Sequence, residues 1–321
     1  MLATRFSSLS SLVLVVAISS CTSITLAQSD EKDDKPPKIP SPEELELRTG
    51  DGVQLAITYY PSNKGKNAIP VILLHEWEGS RGNFSRLAPY LQSLGLAVIV
   101  PDLRGHGDSK KRVGGRDLDA AKMSTLDFAM IVPGDLEAVR EFLRAKNNAG
   151  ELNINKLCVV GAEMGASVAL QFALYDWTRG PTGNGQYGTV QMGRFVKALV
   201  LISPKWSFRS LSLNTFTKNP YVCSEISVMI IVGKETSSAM SDARRLFNMF
   251  KRFHPEPTPE DKADKKDLYL GALGTSLQGT KMLEGRGLNV RKYIAQFIDM
   301  RLSKSSKSKS FGWKERKRPH E

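Results

Sequence analysis

Leu157-Cys158-Val159-Val160-Gly161-Ala162-Glu163-Met164-Gly165-Ala166-Ser167-Val168-Ala169-Leu170 is the stretch on which the reading of this chain turns. A short apolar run enters a G-x-x-x-G frame and an apolar helical pattern leaves it. Strand, sharp turn and helix in that order make the frame of a nucleophile elbow, which holds its central residue up at the tip. A serine or cysteine belongs there; this chain has Glu163.

Outward from the elbow, apolar runs alternate with helical patterns. Ile69 to Leu74, Leu96 to Val100, Ala198 to Ile202 and Val228 to Val232 are continuous apolar strands, as expected of a sheet covered on both faces. Leu45 to Leu47 and Val53 to Tyr59 flank Thr49-Gly50-Asp51-Gly52, a hairpin signal. Phe84, Leu87, Tyr90 and Leu91 recur at helical spacing, and so do Leu136, Val139, Phe142 and Leu143. Further helices are expected over 242–250 and 290–300, a short strand over 268–270, and a Gly-rich insertion over 176–193. This alternation predicts an α/β fold, a mostly parallel central sheet with helices on both faces.

The chain has 321 residues, 41% apolar and 24% charged, enough for one large core. Residues 1–27 read as a signal peptide: Arg5, a brief apolar run from Leu12 to Ile18, and Thr25-Leu26-Ala27 as a cleavage site. That run is too short to span a bilayer, so no transmembrane helix is expected in a mature secreted or periplasmic protein. Ile18-Ser19-Ser20-Cys21 resembles a loose bacterial lipobox, which leaves lipid anchoring through Cys21 open. Residues 28–43 read as a disordered leader, 44–302 as the folded domain and 303–321 as a disordered basic tail. The net charge is +12, and 301–321 carry eight Lys/Arg against two Glu. Such a tail can meet anionic surfaces, without specific nucleic-acid recognition. Cys158 and Cys223 sit in a strand and a later connection, so no structural disulfide is expected.

Over about residues 45–302 the chain resembles the α/β-hydrolase superfamily, its dienelactone-hydrolase and small-esterase branches in particular. Val71-Ile72-Leu73-Leu74-His75-Glu76-Trp77-Glu78-Gly79, Pro101-Asp102-Leu103-Arg104-Gly105-His106-Gly107-Asp108-Ser109, the elbow and Val232-Gly233 carry the resemblance in this order. The resemblance implies a nucleophile at Glu163, an acid at Thr236 and a histidine at Gln278, so all three triad positions are substituted. A slip of one residue would offer Glu235 as the acid. It also implies an oxyanion hole made by the backbone N–H groups of Trp77 and Met164.

A serine hydrolase needs imidazole to take the hydroxyl proton and a carboxylate to fix that ring. Glutamine does not titrate near neutral pH. His75 and His106 lie in strand-end turns, His254 precedes the last strand and His320 is in the tail, so none takes the base's expected place. Glu163 as a nucleophile, after the manner of the superfamily's Asp-dependent dehalogenases and epoxide hydrolases, is displaced by a methylene and lacks a base for the second step. Ser80 or Ser167 with a displaced histidine would be a rearranged triad; Ser167 lies about one helical turn past the tip. As a structural carboxylate, Glu163 would sit at a helix start and receive the Gln278 amide. The histidines lack metal spacing, and no metal or cofactor is expected. Val113-Gly114-Gly115-Arg116 lacks the phosphate-loop Lys-Ser/Thr and reads as an ordinary loop. The expectation is an exported, non-catalytic α/β-hydrolase-fold protein with a small-molecule or cell-envelope ligand. The alternative is a carboxylic-ester or lactone hydrolase with a rearranged site.

Overall fold

The Thr49–Gly52 hairpin forms as its composition directs. β1 (Glu43–Arg48) pairs antiparallel with β2 (Gln54–Tyr60), with Leu45 opposite Ile57, and Gly52 takes φ 88° in the connection. This computed structural model describes residues 39–182, 190–209, 211–212, 216 and 219–317. The expected signal peptide with Cys21, the leader up to residue 38, and His320 lie outside the described residues.

Six further strands complete this sheet: β3 (Pro70–Leu74), β4 (Ala97–Pro101), β5 (Leu157–Ala162), β6 (Val196–Ile202), β7 (Ser227–Gly233) and β8 (Leu268–Leu273). The sheet runs β1-β2-β4-β3-β5-β6-β7-β8. Every pairing from β4 to β8 is parallel, and only β1–β2 and β2–β4 are antiparallel. All residues of β3, β4 and β5 are buried, the outcome their unbroken apolar runs require when helices cover both faces.

One face carries α1 (Leu87–Ser93) and α5 (Val290–Asp299), whose Leu87, Leu91, Ile294 and Phe297 meet Val71, Val98 and Val160. The other carries α2 (Glu137–Asn148), α3 (Met164–Thr178) and α4 (Ser237–Lys251), which contribute Val139, Leu143, Phe172, Leu246 and Phe250. The helical spacing from Phe84 to Leu91 is split: a tight turn at Arg81–Phe84 precedes α1. Arg81 is held there by Asp102 and Asp108, which ties the turn to the strand-end segment rather than to α1. Among the described residues, Cys158 and Cys223 are buried free thiols.

Residues 303–317 differ from the expected disordered tail. Asn153 Nδ2 donates to the Phe311 carbonyl at 2.9 Å, Asn155 Nδ2 to Gly312 at 2.7 Å, and Asn147 Nδ2 to Lys314 at 3.0 Å. Phe311 is buried, and Trp313 donates its indole N–H to Asn147 while the Lys66 ammonium sits 3.9 Å over its ring. Composition suggested disorder because the segment has few apolar groups. Its order comes instead from backbone carbonyls taken up by asparagines elsewhere, and from its two aromatics.

Candidate active site

The elbow forms at the carboxyl end of β5. Glu163 has φ 48° and ψ −106°, a sparsely populated conformation for a residue with a side chain. Its N–H donates to the Ile202 carbonyl of β6 at 2.9 Å. Sterics explain the glycine frame: a Cβ on Gly161 would lie 2.2 Å from the Gly165 carbonyl oxygen, and one on Gly165 2.2 Å from that of Leu74. The turn therefore closes tightly on itself and against the end of β3.

The Glu163 carboxylate reaches the Lys205 ammonium at 2.5 Å. It also lies beside Gly279, where a Cβ would stand 3.2 Å from Oε1. Gln278 turns its amide elsewhere. Its Nε2 donates to the Gly233 carbonyl at 2.8 Å, and its Oε1 accepts from Ser203 Oγ at 2.6 Å. Ser203 Oγ in turn accepts from the Gly279 N–H at 3.0 Å. The expected bond between the Gln278 amide and Glu163 is thus replaced by two separate partnerships, with Lys205 and with Ser203. Lys205 and Ser203 were missed in the sequence because they follow β6 and reach the elbow only through the parallel pairing of β5 with β6.

Glu163 and Gln278 nonetheless line one cleft of about 470 Å³, together with Glu76, Trp77, Asn83 and Lys281. Thr236 immediately precedes α4, half-buried, and its hydroxyl donates to the Ser276 carbonyl at 3.3 Å. Glu235 is exposed. Neither bonds to Gln278. Glu76 accepts from Asn83 Nδ2 at 3.0 Å and from the Thr280 hydroxyl, which ties the β3 turn to the turn after Gln278. Its second carboxylate oxygen, Oε2, is buried without a partner.

Met164 opens α3, so its N–H has no partner within the helix and remains a donor. The Trp77 ring packs on His106, Phe128 and Phe208 at centroid distances of 5.1, 5.5 and 5.7 Å, with the Arg209 guanidinium 4.4 Å over it. These side chains fill the space on that flank of the elbow.

The histidines serve the framework. His75 is fully buried, donates from Nδ1 to the Glu76 carbonyl at 2.7 Å and accepts the Leu103 N–H on Nε2 at 3.0 Å. Burial lowers its pKa to about 4, so it stands neutral at pH 7. His106 donates to the Arg104 carbonyl, while its Nε2 is buried and unpartnered, and burial lowers its pKa too. His254 packs 6.1 Å from Phe250, beneath α4. None of the three lines the cleft. Ser167 is buried and Ser80 caps the Arg81 turn, so neither stands at the tip. Among the described residues no cluster of His, Cys, Asp and Glu is arranged to hold a metal ion, and no helix is long and apolar enough to cross a membrane.

The sequence family described as alpha/beta hydrolase fold matches residues 69–220. Lipase 3 of a Moraxella species is 28% identical over 131 residues, 40% of this chain and 33% of that protein. A soluble epoxide hydrolase of a Corynebacterium species is 36% identical over 107 residues, 33% of this chain and 30% of its own. An uncharacterized protein of Mycobacterium tuberculosis is 26% identical over 136 residues, 42% of each chain. The chain therefore spans less than half the length of these curated relatives. Among solved structures, an esterase of Pyrococcus furiosus superposes with TM-score 0.55 at 16% identity, covering 82% of this chain and 92% of that one. Dienelactone hydrolase from Anabaena variabilis gives 0.53 at 14%, covering 83% and 98%. Sheet order, elbow and these likenesses agree: the chain has an α/β-hydrolase-superfamily fold, related at low sequence identity to esterases, lipases and dienelactone-hydrolase-like proteins.

Proposed function

We propose that the chain is a non-catalytic member of this fold, an exported binding or interaction protein whose elbow cleft holds a small-molecule or cell-envelope ligand. One observation carries the reading: the tip residue Glu163 is ion-paired with Lys205, and Gln278, in the histidine's place, is fixed between Gly233 and Ser203. No described imidazole lines the cleft to move a proton. Export rests on the sequence of residues 1–27. In this reading Glu163, Thr236 and Gln278 stand at the triad-equivalent positions, and the backbone N–H groups of Trp77 and Met164 at those of the oxyanion donors.

A second reading is favoured by the relatives themselves, since lipases and epoxide hydrolases stand among them. On that reading the cleft hydrolyses a carboxylic ester or lactone through a rearranged site. A panel of short-chain nitrophenyl esters and lactones separates the two. The non-catalytic reading expects the wild type to turn over no faster than Glu163→Ala. Wild-type turnover that falls at least 100-fold in Glu163→Ala would establish the hydrolytic reading instead.

A further inference from the structure

Beside the elbow cleft, a groove of about 840 Å³ runs along the outer face of α4. It begins at the carboxyl ends of β6 and β7, since Trp206 follows the first and Lys234 the second. Open α/β sheets bind their ligands at that edge.

The charge of this groove is one-sided. Lys234, Arg244, Arg245 and Arg252 line it, and no carboxylate does. The side chains of Lys234, Arg244 and Arg252 have no hydrogen-bond or ion-pair partner among the described residues. Most of the other described arginines, by contrast, hold carboxylates: Arg81, Arg104, Arg140 and Arg301 each do. Arg245 is set by stacking, with its guanidinium 3.7 Å over the Trp206 ring. The residues 237, 241, 244, 248 and 252 fall on one stripe of the helix at steps of four, three, four and four. Along it two hydroxyls are followed by a guanidinium, an amide and a second guanidinium, and every one of these side chains is exposed.

We infer that this groove binds a short linear oligophosphate in free solution. Guanidinium groups recognise phosphoryl oxygens through paired N–H donors; Asn248 adds a neutral donor between them and Ser241 one before Arg244. Arg244 and Arg252 stand eight residues apart, about 12 Å along the helix. A single phosphate contacts one of them; a chain of three phosphoryl groups engages both arginines. Lys234 adds a further cation at the opposite end of the groove, which raises its positive field without touching the ligand. The site is separate from the elbow, so it stands whether or not the non-catalytic reading does.

The test is calorimetric titration of the full chain with tripolyphosphate at fixed ionic strength. Saturable binding is expected, weakened at least tenfold in Arg244→Gln/Arg252→Gln and unchanged in Lys122→Gln, an exposed cation outside the groove. Orthophosphate is expected to bind at least tenfold more weakly than tripolyphosphate. Both arginines are exposed, so unchanged thermal unfolding of the double variant is the control for folding. Lys234→Gln, expected to weaken binding about threefold, provides a second variant. Undiminished binding in the double variant would overturn the proposal by placing the anion elsewhere on this basic chain. So would equal affinity for orthophosphate, or retention on phosphatidylglycerol vesicles without tripolyphosphate binding.

Discussion

Replacing Glu163 by glycine and by alanine separates two terms that the elbow combines. At φ 48° and ψ −106° a residue with a Cβ is strained by about 1–3 kcal/mol, which glycine relieves and alanine does not. Glycine gives back about 0.4–1 kcal/mol through the greater freedom of its unfolded chain. Both variants lose the ion pair to Lys205. Those side chains are 22% and 45% exposed, so solvent screening holds the pair to at most about 1 kcal/mol. Glu163→Ala should therefore be less stable than wild type by about 0.5–1 kcal/mol. Glu163→Gly should exceed Glu163→Ala by about 1 kcal/mol, or about 2–4 °C for a domain of this size. Urea unfolding of the three proteins, fitted with a common slope, measures both differences. If glycine is no more stable than alanine, the elbow is not strained. If alanine costs more than about 2 kcal/mol, the Lys205 pair is a structural keystone and the screening argument fails.

Two further outcomes follow from burial. Asp176 is fully buried and accepts the Phe195 and Val196 N–H groups on one oxygen, while its other oxygen has no partner. Burial raises its pKa from 3.8 to about 6, so the folded state favours the protonated acid. Stability from this group is thus present below pH 3.8 and lost as pH rises through about 6, a loss of about 3 kcal/mol. Asp176→Asn should remove that loss, giving a variant that gains on wild type between pH 4 and pH 7 in thermal unfolding; parallel profiles would refute it. Deleting residues 311–321 should cost at least about 3 kcal/mol, from the burial of Phe311 and the three asparagine bonds to its backbone. A disordered tail would leave the unfolding midpoint in place.

The parts of this molecule legible in its sequence are those whose cause is local or periodic. β3, β4 and β5 are readable because a strand buried on both faces has no polar alternation to keep. Gly161 and Gly165 are readable because only glycine lets the turn close on Leu74 and on itself. Lys205 is different: nothing near it in sequence marks it, and it meets Glu163 only because β6 lies beside β5. Ser203 is hidden for the same reason. The packing of 311–316 is not legible in the sequence, because hydrogen-bond acceptors on a backbone leave no trace in composition. Asn147, Asn153 and Asn155 would each have read as loop residues.

On the proposed reading, in which Glu163 and Gln278 stand in triad positions, the two residues alter the elbow's chemistry in different ways. Gln278 keeps the hydrogen-bonding of a neutral imidazole, one donor to Gly233 and one acceptor for Ser203, and so preserves the contact between strand ends. It discards only the titration. Glu163 does more, because it places charge where an acyl-transfer reaction would develop its own. An oxyanion forming about 4 Å from that carboxylate would be opposed by about 4 kcal/mol at an effective dielectric of 20, about a thousandfold in rate. Lys205 offsets this repulsion, and in doing so occupies the carboxylate that would have to attack. The same contact that makes the charge tolerable therefore makes it a poor nucleophile. A ligand that exchanges for Lys205 must bring its own cation to Glu163, or its own anion to Lys205. On the non-catalytic reading, recognition by paired charge is the chemistry left to this elbow.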